Sequence, residues 1–299
     1  MNRVRIGTRG SPLALWQANF VAGALRQAHA GLVVELVEIQ TAGDQIQNVP
    51  LASLGGDGLF TKAIQQALLD GRADLAVHSL KDLPTFAVEG LTLAAIPKRA
   101  PTGDALVSKK HASFNALPVG AVVATSSLRR RAQVLHRRPD LRLIDIRGNV
   151  ETRLRKLVEQ DLDATILAEA GLLRLNLAEH ITEVLDASWM FPAVGQGALG
   201  LECRTEDSGV QRLLRPLDHV ETRAAALAER AMLRALGGGC QTPIGALSTV
   251  RDGRLRLRGV VLPPNGERRT EGQVEGPITE AESLGTQLAQ ELAHAMPSN

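Results

Sequence analysis

Short apolar runs alternate along this chain with amphipathic stretches of helical period. Val4 to Thr8 predicts a strand, and Ser11 with Pro12 supplies the cap and first turn of a helix whose apolar stripe is Leu13, Trp16, Phe20, Ala24 and Leu25. Gly31 ends that helix. A strand from Leu32 to Gln40 follows, then a polar, Gly-rich stretch from Thr41 to Gly58, a helix from Leu59 to Leu69 and a strand from Asp74 to His78. This β-α-β-α-β order implies a mainly parallel sheet.

After a strand from Leu91 to Ile96, the segment PKRAPTGD (97–104) reads as a linker, because two prolines and a glycine interrupt any period. A second alternation then predicts strand Val119 to Ala124, helix Leu128 to Arg137, strand Leu141 to Ile146, helix Val150 to Glu159 and strand Ala164 to Ala168. FPAVGQGALGLECR (191–204) mixes glycines with a strand-like run that can return the chain to the first unit, and two crossings of this kind make a hinge. From Glu221 the pattern changes to an Ala-rich helix, a break at GGGCQTPIG (237–245), three antiparallel strands (246–250, 254–262, 268–275) and a final helix from about Glu280. The expected organisation is α/β, with a discontinuous first domain (1–98 and 198–216), a second α/β domain (103–192) and a C-terminal α+β domain (220–299).

Composition narrows the function classes. With 299 residues and 44% hydrophobic content the chain can bury several cores, and its net charge of +2 is too balanced to hold a polyanion through its overall field. Of 34 basic residues 28 are Arg, the side chain with a planar fork for carboxylate or phosphate, although total Arg content can also reflect codon usage. Cys203 and Cys240 are the only cysteines, which excludes a disulfide framework and fits a reducing compartment. No apolar leader or membrane-length run is present, so a cytoplasmic protein is expected. The His residues show no ligand spacing, so no metal is expected.

Position gives the Arg bias meaning. ATSSLRRRAQ (124–133) sets two hydroxyls where a strand meets a helix N-terminus, followed by Arg129, Arg130 and Arg131, of which at most two can face one ligand while another points to solvent. The alternative there is an ordinary capped surface helix. Arg9, Arg147 and Arg174 follow predicted strands, and Arg153 falls in the first turns of the helix after Arg147, so four guanidinium groups stand on the edge where open α/β sheets bind ligands. HSLKDLP (78–84) adds Lys81 and Asp82 to that edge, where Asp82 either stabilises a cation and moves a proton or simply caps a turn. Cys240 sits among three glycines that leave its sulfur little shielded, whereas Cys203 lies in an apolar run that predicts an inert thiol. These residues describe a hinged binder of a polycarboxylate or polyphosphate, with an acid and an exposed thiol.

Taken together, RIGTRGSPLALWQA, AVHSLKDLP, ATSSLRRR, RGNVETRL, FPAVGQG and GGGCQTPIG resemble the porphobilinogen deaminase (hydroxymethylbilane synthase) family, in the right order from about residue 3 to the end. The resemblance implies two periplasmic-binding-protein-like (type II) α/β domains with a hinge, plus a C-terminal domain with a three-stranded antiparallel sheet. It implies a monomeric, cytoplasmic transferase of heme and tetrapyrrole biosynthesis that joins four porphobilinogen molecules head to tail, releases four ammonia and hydrolyses the product to hydroxymethylbilane. It also implies a covalent dipyrromethane cofactor, as a thioether on Cys240, contacted by Lys81, Asp104, Ser127, Arg129 and Arg130. Asp82 takes the place of the catalytic aspartate. Arg9, Ser11, Phe60, Arg147, Arg153, Arg174 and Gln196 fall on substrate-binding positions, with Phe60 stacking on a pyrrole.

The implied chemistry suits these residues. Loss of ammonia leaves a pyrrole-based cation that needs a fixed negative charge, and the acetate and propionate of each ring accumulate carboxylates for the Arg set to answer. Several relatives carry lysines in the loop where this chain has Ser53 and Asp57, so no binding role is transferred to those two residues. Two rival classes remain at this level: a two-lobed binding protein without chemistry, and a nucleic-acid binder. The second would need a basic stripe with stacking aromatics, and the chain has no Tyr, 2 Trp and 5 Phe.

Overall fold

The computed structural model describes residues 2–41, 61–238 and 243–296. Backbone proximity divides the chain into two units, one formed by residues 1–100 and 198–223 and the other by 101–197 and 224–299.

In the first unit, β1 (Arg3–Thr8), β2 (Val33–Glu38), β3 (Leu75–Ser79), β4 (Leu91–Ala95) and β10 (Leu199–Arg204) form one sheet in the order β2-β1-β3-β10-β4. β1 runs parallel to β2 and β3, and β10 lies antiparallel between β3 and β4, so the returning strand makes the sheet mixed. One face is covered by α1 (Pro12–Ala28) and α6 (Ser208–Leu214), which bury Ala18, Val21, Leu25, Val210 and Leu214 against Val4, Ile6, Leu75 and Leu201. The other face packs α2 (Lys62–Leu69) through Ile64, Ala67 and Leu68. Coverage on both faces explains why β3 reads as a continuous apolar run rather than an alternating one.

The expected stripe of α1 is only partly the buried one. The helix turns Gln17, Ala18, Val21, Ala22 and Leu25 inward, whereas Phe20 is 46% exposed and stacks on Trp16, with ring centroids 5.5 Å apart. Small residues win the inner face because Ala18 and Ala22 let the helix approach the sheet closely, and large side chains at helical spacing do not reveal this.

The second unit holds β5 (Asp104–Val107), β6 (Val122–Ala124), β7 (Arg142–Ile144), β8 (Ala164–Ala168) and β9 (Glu183–Val184), ordered β7-β6-β8-β5-β9. Parallel pairs β6–β7 and β6–β8 are flanked by antiparallel β5. Helices α3 (Leu128–Arg137), α4 (Val150–Glu159) and α5 (Glu169–Arg174) complete this part. The linker read over 97–104 stops one residue earlier, because Asp104 already belongs to β5.

The same unit carries the antiparallel sheet β11 (Ile244–Arg251), β12 (Arg254–Val261) and β13 (Thr270–Pro277), with α7 (Val220–Ala235) from Ala224 onward and α8 (Ala281–Ala295). Ala228 and Met232 of α7 and Leu284, Leu288 and Leu292 of α8 share one core with Ala246, Leu255, Leu257 and Val274 of the sheet. Gly285 allows the helices to touch, since a Cβ there would collide with the Ala228 carbonyl. Phe191 is fully buried, with Arg258 and Arg269 over its ring at 4.7 and 4.9 Å. These strands and helices group with β5–β9 rather than apart from them.

Candidate active site

The first unit builds a cavity where β1 and β3 end. Arg9 follows β1 directly, and Ser11 caps α1 by accepting the Ala14 N–H at 3.4 Å. β3 runs into a single 3-10 turn, Leu80–Asp82, which sets the half-buried Lys81 and Asp82 at that edge. Arg9, Ser11, Gln17, Ser79 and Asp82 line one cavity, with Thr61 and His78 in the wall. Among the described residues the Asp82 carboxylate has no hydrogen bond or ion pair.

Behind this cavity lies a buried polar cluster that the sequence did not reveal. His78 Nε2 is 3.2 Å from Glu202 Oε2, and Gln65 Nε2 donates to Glu202 Oε1 at 3.1 Å. The cluster joins β3, β10 and α2 beneath the turn that carries Asp82. Gln17 Nε2 donates to Ser79 Oγ at 2.8 Å, and the Leu80 N–H donates to the Ala198 carbonyl at 3.0 Å, so that turn is held from two further directions.

The second unit gathers Asp104, Arg129, Arg130 and Gln196. Asp104 Oδ2 accepts from Arg129 Nη1 at 2.6 Å, and its Oδ1 accepts from Arg130 Nη2 at 2.7 Å and Gln196 Nε2 at 3.0 Å. Both guanidinium groups are more than nine-tenths buried and also donate to backbone carbonyls, Arg129 to Phe191 at 2.5 Å and Arg130 to Ile166 at 2.9 Å. Burial alone would raise the Asp104 carboxyl, but the two guanidinium charges outweigh it and hold the group well below the usual carboxylate range. Two cations against one anion leave the cluster one positive charge, and among the described residues Arg129 Nε is a buried donor without an acceptor.

Ser127 caps α3 by accepting the Arg130 N–H at 3.4 Å. Arg131, the third of the run, takes no part in the Asp104 cluster. It is half-buried and folds back to donate to the Leu143 carbonyl at 2.9 Å. Arg147 is half-buried after β7, and Gly148 beside it adopts φ +116°, where a Cβ would strike the Thr152 side chain. Arg153 Nε donates to the Gly148 carbonyl at 2.9 Å. Arg174 does not sit at a strand end, because β8 continues into α5 and Arg174 is that helix's last residue. Its Nη2 donates to the Gly197 carbonyl at 2.7 Å, and burial pulls the guanidinium down to about 10.

The profile described as "Porphobilinogen deaminase, dipyromethane cofactor binding domain" matches residues 4–212, and "Porphobilinogen deaminase, C-terminal domain" matches residues 224–294. The porphobilinogen deaminase of Syntrophotalea carbinolica is 52% identical over 289 residues, covering 97% of this chain and 92% of that protein. The chain belongs to the porphobilinogen deaminase family. A second relative, the porphobilinogen deaminase of Pelobacter propionicus, is 51% identical over 290 residues, or 97% of this chain and 93% of its own length. Among solved structures, the methionine binding protein MetQ aligns with a TM-score of 0.47 at 15% identity, over 76% of this chain and 95% of that one.

Cys203 is fully buried in β10, where burial pushes its thiol up to about 11. Cys240, Phe60, Ser53 and Asp57 lie outside the described residues. Thr61, His78 and Glu202 are the residues that sequence reasoning passed over, and the last two carry no local signal because 124 positions separate them. Among the described residues no group of three His, Cys, Asp or Glu side chains converges as a metal site, and no helix is long and apolar enough to cross a membrane.

Proposed function

We propose that this chain is a transferase that joins four porphobilinogen molecules head to tail, releases four ammonia and yields hydroxymethylbilane, with a dipyrromethane cofactor held as a thioether on Cys240. The observation that carries this reading is Asp82, a carboxylate that pairs with none of the described residues in a cavity that also presents Arg9 and Ser11.

Arg9 and Ser11 bind a carboxylate of the incoming pyrrole, through charge and through hydroxyl donation. Asp82 stabilises the cation left on that pyrrole when ammonia departs, because a fixed negative charge in a partly desolvated cavity acts more strongly than it would in water. The 3-10 turn beneath Asp82, tied through Ser79, Leu80 and the His78–Glu202 pair, keeps that charge from moving away. Lys81 and the guanidinium groups of Arg147, Arg153 and Arg174 receive carboxylates of the lengthening product.

The second unit suits the cofactor chemically. Its buried cluster keeps one excess positive charge and an unpartnered Arg129 Nε, which an anionic group satisfies. Arg129, Arg130 and Ser127 would hold it, with Asp104 fixing the two guanidinium groups and Gln196 bonded in turn to Asp104 rather than meeting an anion directly. When bound, the cofactor supplies the nucleophilic pyrrole carbon that starts the chain. Enclosure of the Cys203 sulfur in the core supports assigning the thioether to Cys240.

We further propose a three-domain division, with 220–299 as the cofactor-bearing domain, and a cytoplasmic monomer. Incubation with porphobilinogen tests the function: wild-type protein releases ammonia in proportion to substrate consumed, and Asp82→Asn retains binding but loses at least a hundredfold in turnover, about 3 kcal/mol of lost stabilisation. Near-normal turnover by Asp82→Asn would remove Asp82 from the mechanism.

A further inference from the structure

Thr61 carries a hydroxyl that the site as described does not use. It occupies the cap position of α2, where a threonine oxygen ordinarily accepts a backbone N–H of the first turn, yet it makes no capping bond. The residue is 1% exposed, and among the described residues its Oγ1 has no hydrogen-bond partner. It also forms part of the wall of the cavity that holds Arg9, Ser11 and Asp82.

Other polar groups of that wall are already committed. Gln17 and Ser79 hydrogen-bond each other, and His78 is paired with Glu202. A buried hydroxyl with no partner is destabilising, a penalty that an apolar side chain of the same shape avoids. A ligand that brings an acceptor removes the penalty at the moment of binding.

We infer that Thr61 is a further substrate-binding residue, its Oγ1 donating a hydrogen bond to a substrate carboxylate that Arg9 neutralises. This rests on the reading that porphobilinogen occupies the cavity. Of the substrate's polar groups, a carboxylate fits best. The ammonium belongs with Asp82, the acid lining this cavity, whereas an O–H donated to an anion gives the stronger, charge-assisted bond.

Two substitutions separate the hydroxyl from the methyl. Thr61→Val keeps the shape and removes the donor, and Thr61→Ser keeps the donor and removes the methyl. For Thr61→Val the KM for porphobilinogen rises roughly three- to tenfold with kcat within about twofold of wild type, as loss of a uniform binding contact requires. Its thermal midpoint equals or exceeds that of wild type, because the orphaned hydroxyl has gone. Thr61→Ser keeps a KM near wild type. An unchanged KM for Thr61→Val, or an equal rise in both variants, overturns the inference while leaving the function intact. Wild-type protein that releases no ammonia from porphobilinogen overturns the functional reading itself.

Discussion

Arg130 Nη2 lies 2.7 Å from Asp104 Oδ1, and both side chains are more than nine-tenths buried. With Arg129 on the other carboxylate oxygen, Asp104 is the anion that makes two buried guanidinium groups tolerable. Asp104→Asn therefore leaves an uncompensated buried charge and lowers unfolding free energy by about 3–5 kcal/mol, measured by urea denaturation at pH 7.

The same pair sets an acid dependence. The folded-state carboxyl titrates below its unfolded value of about 3.9, so below that pH the unfolded chain takes up a proton that the folded chain refuses. The contribution of Asp104 is complete above about pH 4 and shrinks as the pH falls. Wild-type stability falls more steeply than that of Asp104→Asn between about pH 4 and pH 2, and parallel profiles would show that Asp104 is not held ionised.

Much of the framework is legible in the sequence, and its failures have physical causes. Helices Leu128–Arg137 and Val150–Glu159 and strand Ala164–Ala168 coincide with their patterns because hydrophobic period and cap residues agree there. The linker reading runs one residue too far and β5 goes unpredicted because its first residue, Asp104, is a buried charge adjoining Gly103 and Pro101, and only the distant Arg129 and Arg130 explain it. Arg174 looked like a strand-end residue because five apolar-rich positions run straight into a short helix with no capping side chain. The Arg-rich helix start is visible in the sequence, but not the fact that its two leading guanidinium groups share an internal acid, Asp104.

Glu202 ties β10 to His78 and Gln65 with almost no exposure. Glu202→Leu leaves both partners buried without their acceptor and costs about 2–4 kcal/mol, whereas Glu202→Gln, which retains an oxygen, costs less. Chemical denaturation of the two variants side by side checks the order, and equal losses would mean that packing rather than the polar pair holds β10.

Close contact of α7 with α8 depends on the missing side chain at Gly285. Gly285→Ala drives a methyl into the Ala228 carbonyl, and the helices must part at a cost of about 1–3 kcal/mol, despite the better helix propensity of alanine. A raised thermal midpoint for this variant would show that the contact relaxes freely.

Cys203 is shielded in the core with its thiol pushed up to about 11. In native protein at pH 8, alkylation leaves Cys203 unmodified, and modification of Cys203 appears only after denaturation, as peptide mass mapping would record. Rapid labelling of Cys203 in the folded state would contradict its enclosure and reopen the choice of cofactor anchor.

The most direct measurement is the intact mass of active protein before and during incubation with porphobilinogen, followed by mapping of the Cys240 peptide. The account predicts a resting mass increased by two pyrrole units on Cys240, then discrete steps of one pyrrole unit up to four additions. Fully active protein whose Cys240 peptide has its unmodified mass would contradict it.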